Sequence, residues 1–245
     1  MKSPRFKHRF YRDWSGAKDL FSSRIVERET DLRIFTDKPL DKDFLQKRIQ
    51  KYRFDIEGYI DRDRRFLSSL KPIVVELTAP GIVRKMAKEA NNANVGPMAA
   101  VAGAIAHFLG KDLLRRGYKE VIIENGGDIF LASRKTRFVG IYSGKSRLWQ
   151  DLKIKVPVRI SPLGICTSSG TIGHSLSFGC AESAVILAKD AVLADAVATA
   201  TCNRVQKKED LPDAVNFARH IRGVLGACVI FKNNLTSWGK IELLK

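Results

Sequence analysis

Residues 164–203 read GICTSSGTIGHSLSFGCAESAVILAKDAVLADAVATATCN. Gly164–Thr167 and Ser183–Ala188 are short apolar runs bounded by small and hydroxyl residues, the pattern of buried strands. Val192–Val205 is Ala-rich, and its length and composition predict a helix. Between and around these elements lie two turns rich in Ser, Thr and Gly, one of which contains His174. Packing does not require this concentration of small and hydroxyl residues. A site where backbone amides, hydroxyls and a metal approach phosphate oxygens does require it.

Working outward, Arg24–Thr36 reads as one strand, with Leu32 and Ile34 alternating against Asp31 and Arg33. Asp41–Ile60 places Phe44, Leu45, Ile49, Tyr52, Ile56 and Tyr59 at helical spacing. Ile73–Leu77 reads as a short strand, and Ile82–Ala90 and Pro97–Leu114 as helices. Glu120–Glu124 and Ile129–Ser133 flank Asn125-Gly126-Gly127-Asp128, a hairpin turn by composition. Strands are expected at Arg137–Tyr142 and Leu152–Val158, and a helix at Ala214–Arg222. Val224–Phe231 and Trp238–Leu244 are expected to close the chain as a hairpin around Lys232–Asn234. Strands that fall in hairpins and helices that come in groups indicate an α+β fold of mostly antiparallel sheets with packed helices. The expected organisation is a basic arm, residues 1–14, and a single domain over residues 15–245.

The chain has 245 residues and a net charge of +17, spread over both halves. Only the start is uncompensated, where Lys2, Arg5, Lys7, Arg9 and Arg12 meet no acid. Such a field attracts polyanions, though a generally basic surface accounts for it equally well. The four cysteines, Cys166, Cys180, Cys202 and Cys228, form no CxxC pair, so packed, reduced thiols are expected rather than a zinc site. The charged N-terminus lacks an apolar core, and no run of about 20 apolar residues occurs. A cytoplasmic protein without a membrane partner is the expectation.

Asp195 and Thr199 stand four residues apart and share a helix face. Both are hard oxygen ligands suited to Mg²⁺ with a phosphate; a helix-start Asp and a Thr bonded to its own backbone fit the same spacing. Asn125, Gly126, Gly127 and Asp128 either bring bare amides to a phosphate or form only a turn. Thr167, Ser168, Ser169, Gly170 and Thr171 offer hydroxyls and a glycine, with His174 placed to act as a general base.

Taken together, VGPMAAVAGAIA (95–106), VIIENGGDIFL (121–131), GICTSSGTIGHSLSFG (164–179) and LADAVATATCN (193–203) resemble, in that order, an uncharacterised ApbE-like family. The segments YRDW (11–14), ETDLRIF (29–35) and the stretch from IEGYI to LKPI (56–73) fit the same family. The family is distantly similar to the ApbE flavin transferases, which cleave FAD with Mg²⁺, attach FMN to a Thr or Ser of a target protein and release AMP. The resemblance implies Mg²⁺ ligation by Asp195 and Thr199, and FAD bound at Asn125–Asp128 and Ser168–Thr171. It implies that His174 is the catalytic base and that a flavin-acceptor protein is the partner. The small segment Gly103–Ala106 stands where the transferases supply a backbone carbonyl to the metal. His107 stands near the place where they carry a lysine, and their N-terminal substrate pattern is not recognisable in residues 1–80. A flavin or anionic-cofactor carrier without chemistry is therefore the alternative. Nucleic-acid binding has only the charge behind it, because no recognition motif is visible.

Overall fold

The computed structural model describes residues 17–141, 143, 147–149, 151–170 and 179–245. The basic arm, Thr171 and His174 lie outside the described residues.

The chain opens with β1 (Phe21–Glu27) and β2 (Thr30–Thr36), then α1 (Lys42–Arg62) and the single turn α2 (Arg65–Ser68). Helix α3 (Gly81–Ala93) follows, then a 3-10 turn at Pro97–Ala100 that leads into α4 (Val101–Arg115). Next come β3 (Val121–Asn125), β4 (Asp128–Ala132), β5 (Arg137–Gly140), β6 (Lys153–Val156), β7 (Leu163–Ser168) and β8 (Ser183–Ala188). Helices α5 (Ala191–Cys202) and α6 (Leu211–Arg219) precede β9 (Val224–Phe231), β10 (Asn234–Gly239) and β11 (Glu242–Leu244).

Eight strands form one sheet in the order β1-β2-β3-β4-β7-β8-β9-β10, and every neighbouring pair is antiparallel. A smaller sheet has the order β11-β6-β5. Side chains alternate across a strand, and this alternation divides the core in two. Ile123, Phe130, Cys166, Ile186 and Val229 join the helices in one cluster. Ile122, Leu131, Ile165, Leu187 and Ile230 join the small sheet in the other. The large sheet is thus covered on both faces, which is why β3, β7 and β8 read as continuous apolar runs instead of alternating ones.

Local chemistry sets the helix ends. Asp41 caps α1 by accepting from the Phe44 amide at 3.0 Å, and Asp190 caps α5 by accepting from the Leu193 amide at 2.9 Å. Asn94 ends α3 in the left-handed conformation, φ 56°, and Pro97 starts the next turn. The helical segments on either side of this break meet at 103°. No single helix among the described residues is long and apolar enough to cross a membrane.

Three expectations are corrected. Residues 24–36 are not one strand: the chain reverses at Arg28, φ 51°, and pairs Glu27 with Thr30. The polar run Glu27–Thr30 marks this turn. Residues 73–77 form no strand; Val74 and Leu77 point to solvent, 93% and 88% exposed, while Ile73 and Val75 rest on the core. The last strand is also divided. β10 starts earlier and ends at Gly239, φ 87°, where an added Cβ would lie 2.4 Å from the Leu225 carbonyl. From there the chain crosses to the small sheet as β11. Most other boundaries fall within three residues of expectation, and the Tyr142 end of the predicted strand lies outside the described residues.

Candidate functional site

Helix α5 lies against β7 and runs in the same direction. At its start, an added Cβ on Gly164 would fall 2.3 Å from the Ala191 Cα; at its end, one on Gly179 would fall 1.8 Å from the Cys202 carbonyl oxygen. Only a strand and helix both built of small residues come this close. Helix α4 crosses α5 just as tightly at Gly103, where a Cβ would stand 2.3 Å from the Ala191 carbonyl oxygen.

At that crossing Asp195 Oδ2 accepts the Gly103 amide at 2.8 Å. The β3–β4 hairpin delivers the second carboxylate. Gly126 and Gly127 have φ of 71° and 108°, as a tight two-residue turn requires, and they bring Asn125 opposite Asp128. Asp128 is in phase with Phe130, which packs on α4, so its side chain faces the helices. Asp128 and Asp195 are each 8% exposed. Burial, and then the negative charge of Asp128, hold the Asp195 carboxyl well above the usual carboxylate range, opposed by the Ala102 and Gly103 amides. The Cys166 thiol donates to the Ala191 carbonyl at 3.4 Å, and burial first and the same two aspartates second push its pKa well up.

Thr199 is one turn beyond Asp195 on the same face of α5, buried like it. Ser168 lies two residues past Cys166 on the same face of β7, the face that packs on α5. Ser168 Oγ is buried and has no hydrogen-bond partner among the described residues.

The structure thus brings Asp195 and Asp128 together, with Thr199 on the same face of α5, Ser168 on the α5-facing side of β7, and the Asn125 side chain donating to the Ala102 carbonyl at 3.1 Å. Two of the proposed phosphate-binding amides are already engaged. The Gly127 amide donates to Glu124 at 2.8 Å and the Gly170 amide to the Ala181 carbonyl at 2.9 Å. Ser169 sits half-buried beside Gly170. Among the described residues no three His, Cys, Asp or Glu side chains gather into a metal-binding group. A metal here would rely on two carboxylates supplemented by hydroxyl oxygens, a hard donor set that fits Mg²⁺ and excludes soft metals. The buried Ser168 Oγ, unpartnered among the described residues, and the two mutually repelling carboxylates support the same fit.

Sequence reasoning gave Asp128 only to the phosphate turn and missed its pairing with Asp195. The period-two alternation of 128 and 130 was the available signal. The capping role of the Gly103 amide had no sequence signal, because it depends on how two helices cross. His107 is half-buried, its buried Nδ1 has no partner among the described residues, and burial lowers its pKa to about 4.

The fold is that of a class, the ApbE-like α+β proteins. The flavinyl transferase ApbE of Pseudomonas stutzeri superposes with a TM-score of 0.58 at 12% identity, covering 90% of this chain and 94% of that one. The flavin transferase ApbE of Vibrio cholerae gives a TM-score of 0.53 at 12% identity, covering 90% and 96%. The chain belongs to the family described as "AbpE bacteria", whose model matches residues 12–232. It is 40% identical to the UPF0280 protein MJ1526 of Methanocaldococcus jannaschii, over 92% of this chain and 93% of that protein. The UPF0280 protein of Methanosarcina acetivorans is 39% identical, over 87% and 85%.

Proposed function

We propose that this chain binds FAD with Mg²⁺ and transfers FMN from it to a hydroxyl of an acceptor protein. The observation that carries the reading is the buried Asp128–Asp195 pair, with the Ser168 hydroxyl on the facing strand unpartnered among the described residues. Two carboxylates in one dry junction need either a shared proton or a cation between them. Asp195, Thr199 and Asp128 would hold the Mg²⁺, which when bound neutralises pyrophosphate charge. Ser168 and Ser169 present hydroxyls to the phosphate oxygens. The acceptor hydroxyl oxygen forms a bond to the FMN phosphorus, and the pyrophosphate P–O bond breaks to release AMP. His174 takes the acceptor proton.

The test is titration of FAD with and without Mg²⁺, followed by chromatography for FMN and AMP. Mg²⁺-dependent AMP release that is lost in Asp195→Ala supports the reading; undiminished turnover in that variant refutes it. One observation favours a carrier instead. His107, near the transferases' lysine, is uncharged at neutral pH and supplies no fixed cation. Tight FAD binding with the nucleotide recovered intact would decide for the carrier.

A further inference from the structure

A cleft lies between α3 and the C-terminal half of α4, one helical turn beyond Gly103. Its volume is about 560 Å³, and Lys85, His107, Phe108, Lys111, Leu114 and Arg115 line it. That size suits a small molecule and exceeds what a bare phosphate needs.

The charges around it are unevenly satisfied. Lys85 Nζ is held by Glu89 at 2.7 Å and Asp190 at 2.8 Å, and Arg115 reaches Asp112 at 3.2 Å. Lys111 has no acidic partner among the described residues. One turn back on the same face, His107 Nδ1 is buried without a hydrogen-bond partner among the described residues. That nitrogen is sealed from the cleft, so the ring meets a ligand there through its remaining surface. The remaining wall is apolar: half-buried Phe108, set edge-on to Tyr52 at 5.3 Å and to His107 at 5.9 Å, and half-buried Leu114.

We propose that this cleft binds a small aromatic anion, its charged group on Lys111 and its ring on Phe108 and Leu114, beside the His107 ring. The inference uses no residue of the Asp128–Asp195 junction and shares only His107 with the flavin reading, so the Asp195→Asn arm below separates the two.

The test is calorimetric titration of the full chain with phenyl phosphate and, separately, with inorganic phosphate. Phenyl phosphate is expected to saturate, at least about tenfold tighter than inorganic phosphate, since the ring adds apolar burial. Lys111→Ala, a side chain partly in solvent, is expected to weaken it about tenfold or more by removing a charge-assisted contact. Asp195→Asn is expected to leave it unchanged, and the His107 ring ¹⁵N shifts should move on binding. Failure to saturate, equal affinity for the two probes, or unchanged affinity in Lys111→Ala overturns the proposal. An equal loss in Asp195→Asn also overturns it, by assigning the ligand to the other site.

Discussion

Replacing Asp195 with Asn should make the metal-free protein more stable at neutral pH. Asp195 is nearly buried, its stabilising contacts among the described residues are backbone amides, and Asp128 repels its charge. Its folded pKa lies above the unfolded value of about 3.9. In the window between the two, the folded state holds more protons than the unfolded state, so stability falls as pH rises. One excess proton gives at most about 1.4 kcal/mol per pH unit. From pH 5 to pH 7 the wild type therefore loses up to about 3 kcal/mol, and near 2–4 °C per kcal/mol this is about 6–12 °C of Tm for a chain of this length. Asn keeps an acceptor for the Gly103 amide and offers a donor to Asp128, so the slope should largely vanish. The assay is thermal unfolding in EDTA at pH 5, 6 and 7, for wild type and variant. A wild-type Tm that is flat across this range, or an Asp195→Asn protein less stable than wild type at pH 7, refutes the picture of two carboxylates in conflict.

Gly103→Ala should lose about 1–3 kcal/mol, because its Cβ would stand 2.3 Å from the Ala191 carbonyl oxygen; urea unfolding measures it, and a neutral substitution would mean α4 and α5 can slide apart. Arg137, 4% exposed, bonds Asp19 at 2.6 Å and Glu120 at 2.9 Å. Arg137→Met should cost about 3–5 kcal/mol by leaving Glu120 buried without its cation, and restoring stability with Glu120→Gln in the same chain would confirm the cause. His107 should titrate by NMR at about pH 4. Because its folded pKa is depressed, its contribution to stability is present above about pH 6.5 and fades as pH falls toward 4; a midpoint near 6.5 would show that the ring is hydrated.

The fold was legible where periodicity is strong. The apolar spacing of residues 45–59 gave α1, and Asn125–Asp128 gave the β3–β4 turn to the residue. It was misread where an apolar run meets no neighbour. Residues 73–77 look like a strand by composition, but β pairing depends on a partner that sequence does not display. The division of 24–36 at Arg28 was hidden because hydrophobic alternation continues on both sides of the turn. In the site, Asp195 and Thr199 were readable from spacing on one helix. The Asp128–Asp195 encounter was not, since it arises from the register of β4 beside β7 and the crossing of α4 over α5. The engaged amides of Gly127 and Gly170 were equally invisible, because a glycine-rich turn shows that amides are accessible to something without showing to what.

The strand order of the large sheet has a consequence for how the molecule assembles. Four of its seven pairings, β1–β2, β3–β4, β7–β8 and β9–β10, join strands with no helix or other strand between them among the described residues, and the first, second and fourth are hairpins that can zip locally. Pairing β2 with β3 is different, because α1 to α4 lie between them. Closing so long a loop is entropically costly and slow. The N-terminal hairpin should therefore dock late, onto a nearly finished sheet. Deleting it would turn β3, the strand that ends in Asn125, into an open edge. A row of unpaired backbone groups would then be offered to other chains at the rim of the carboxylate junction.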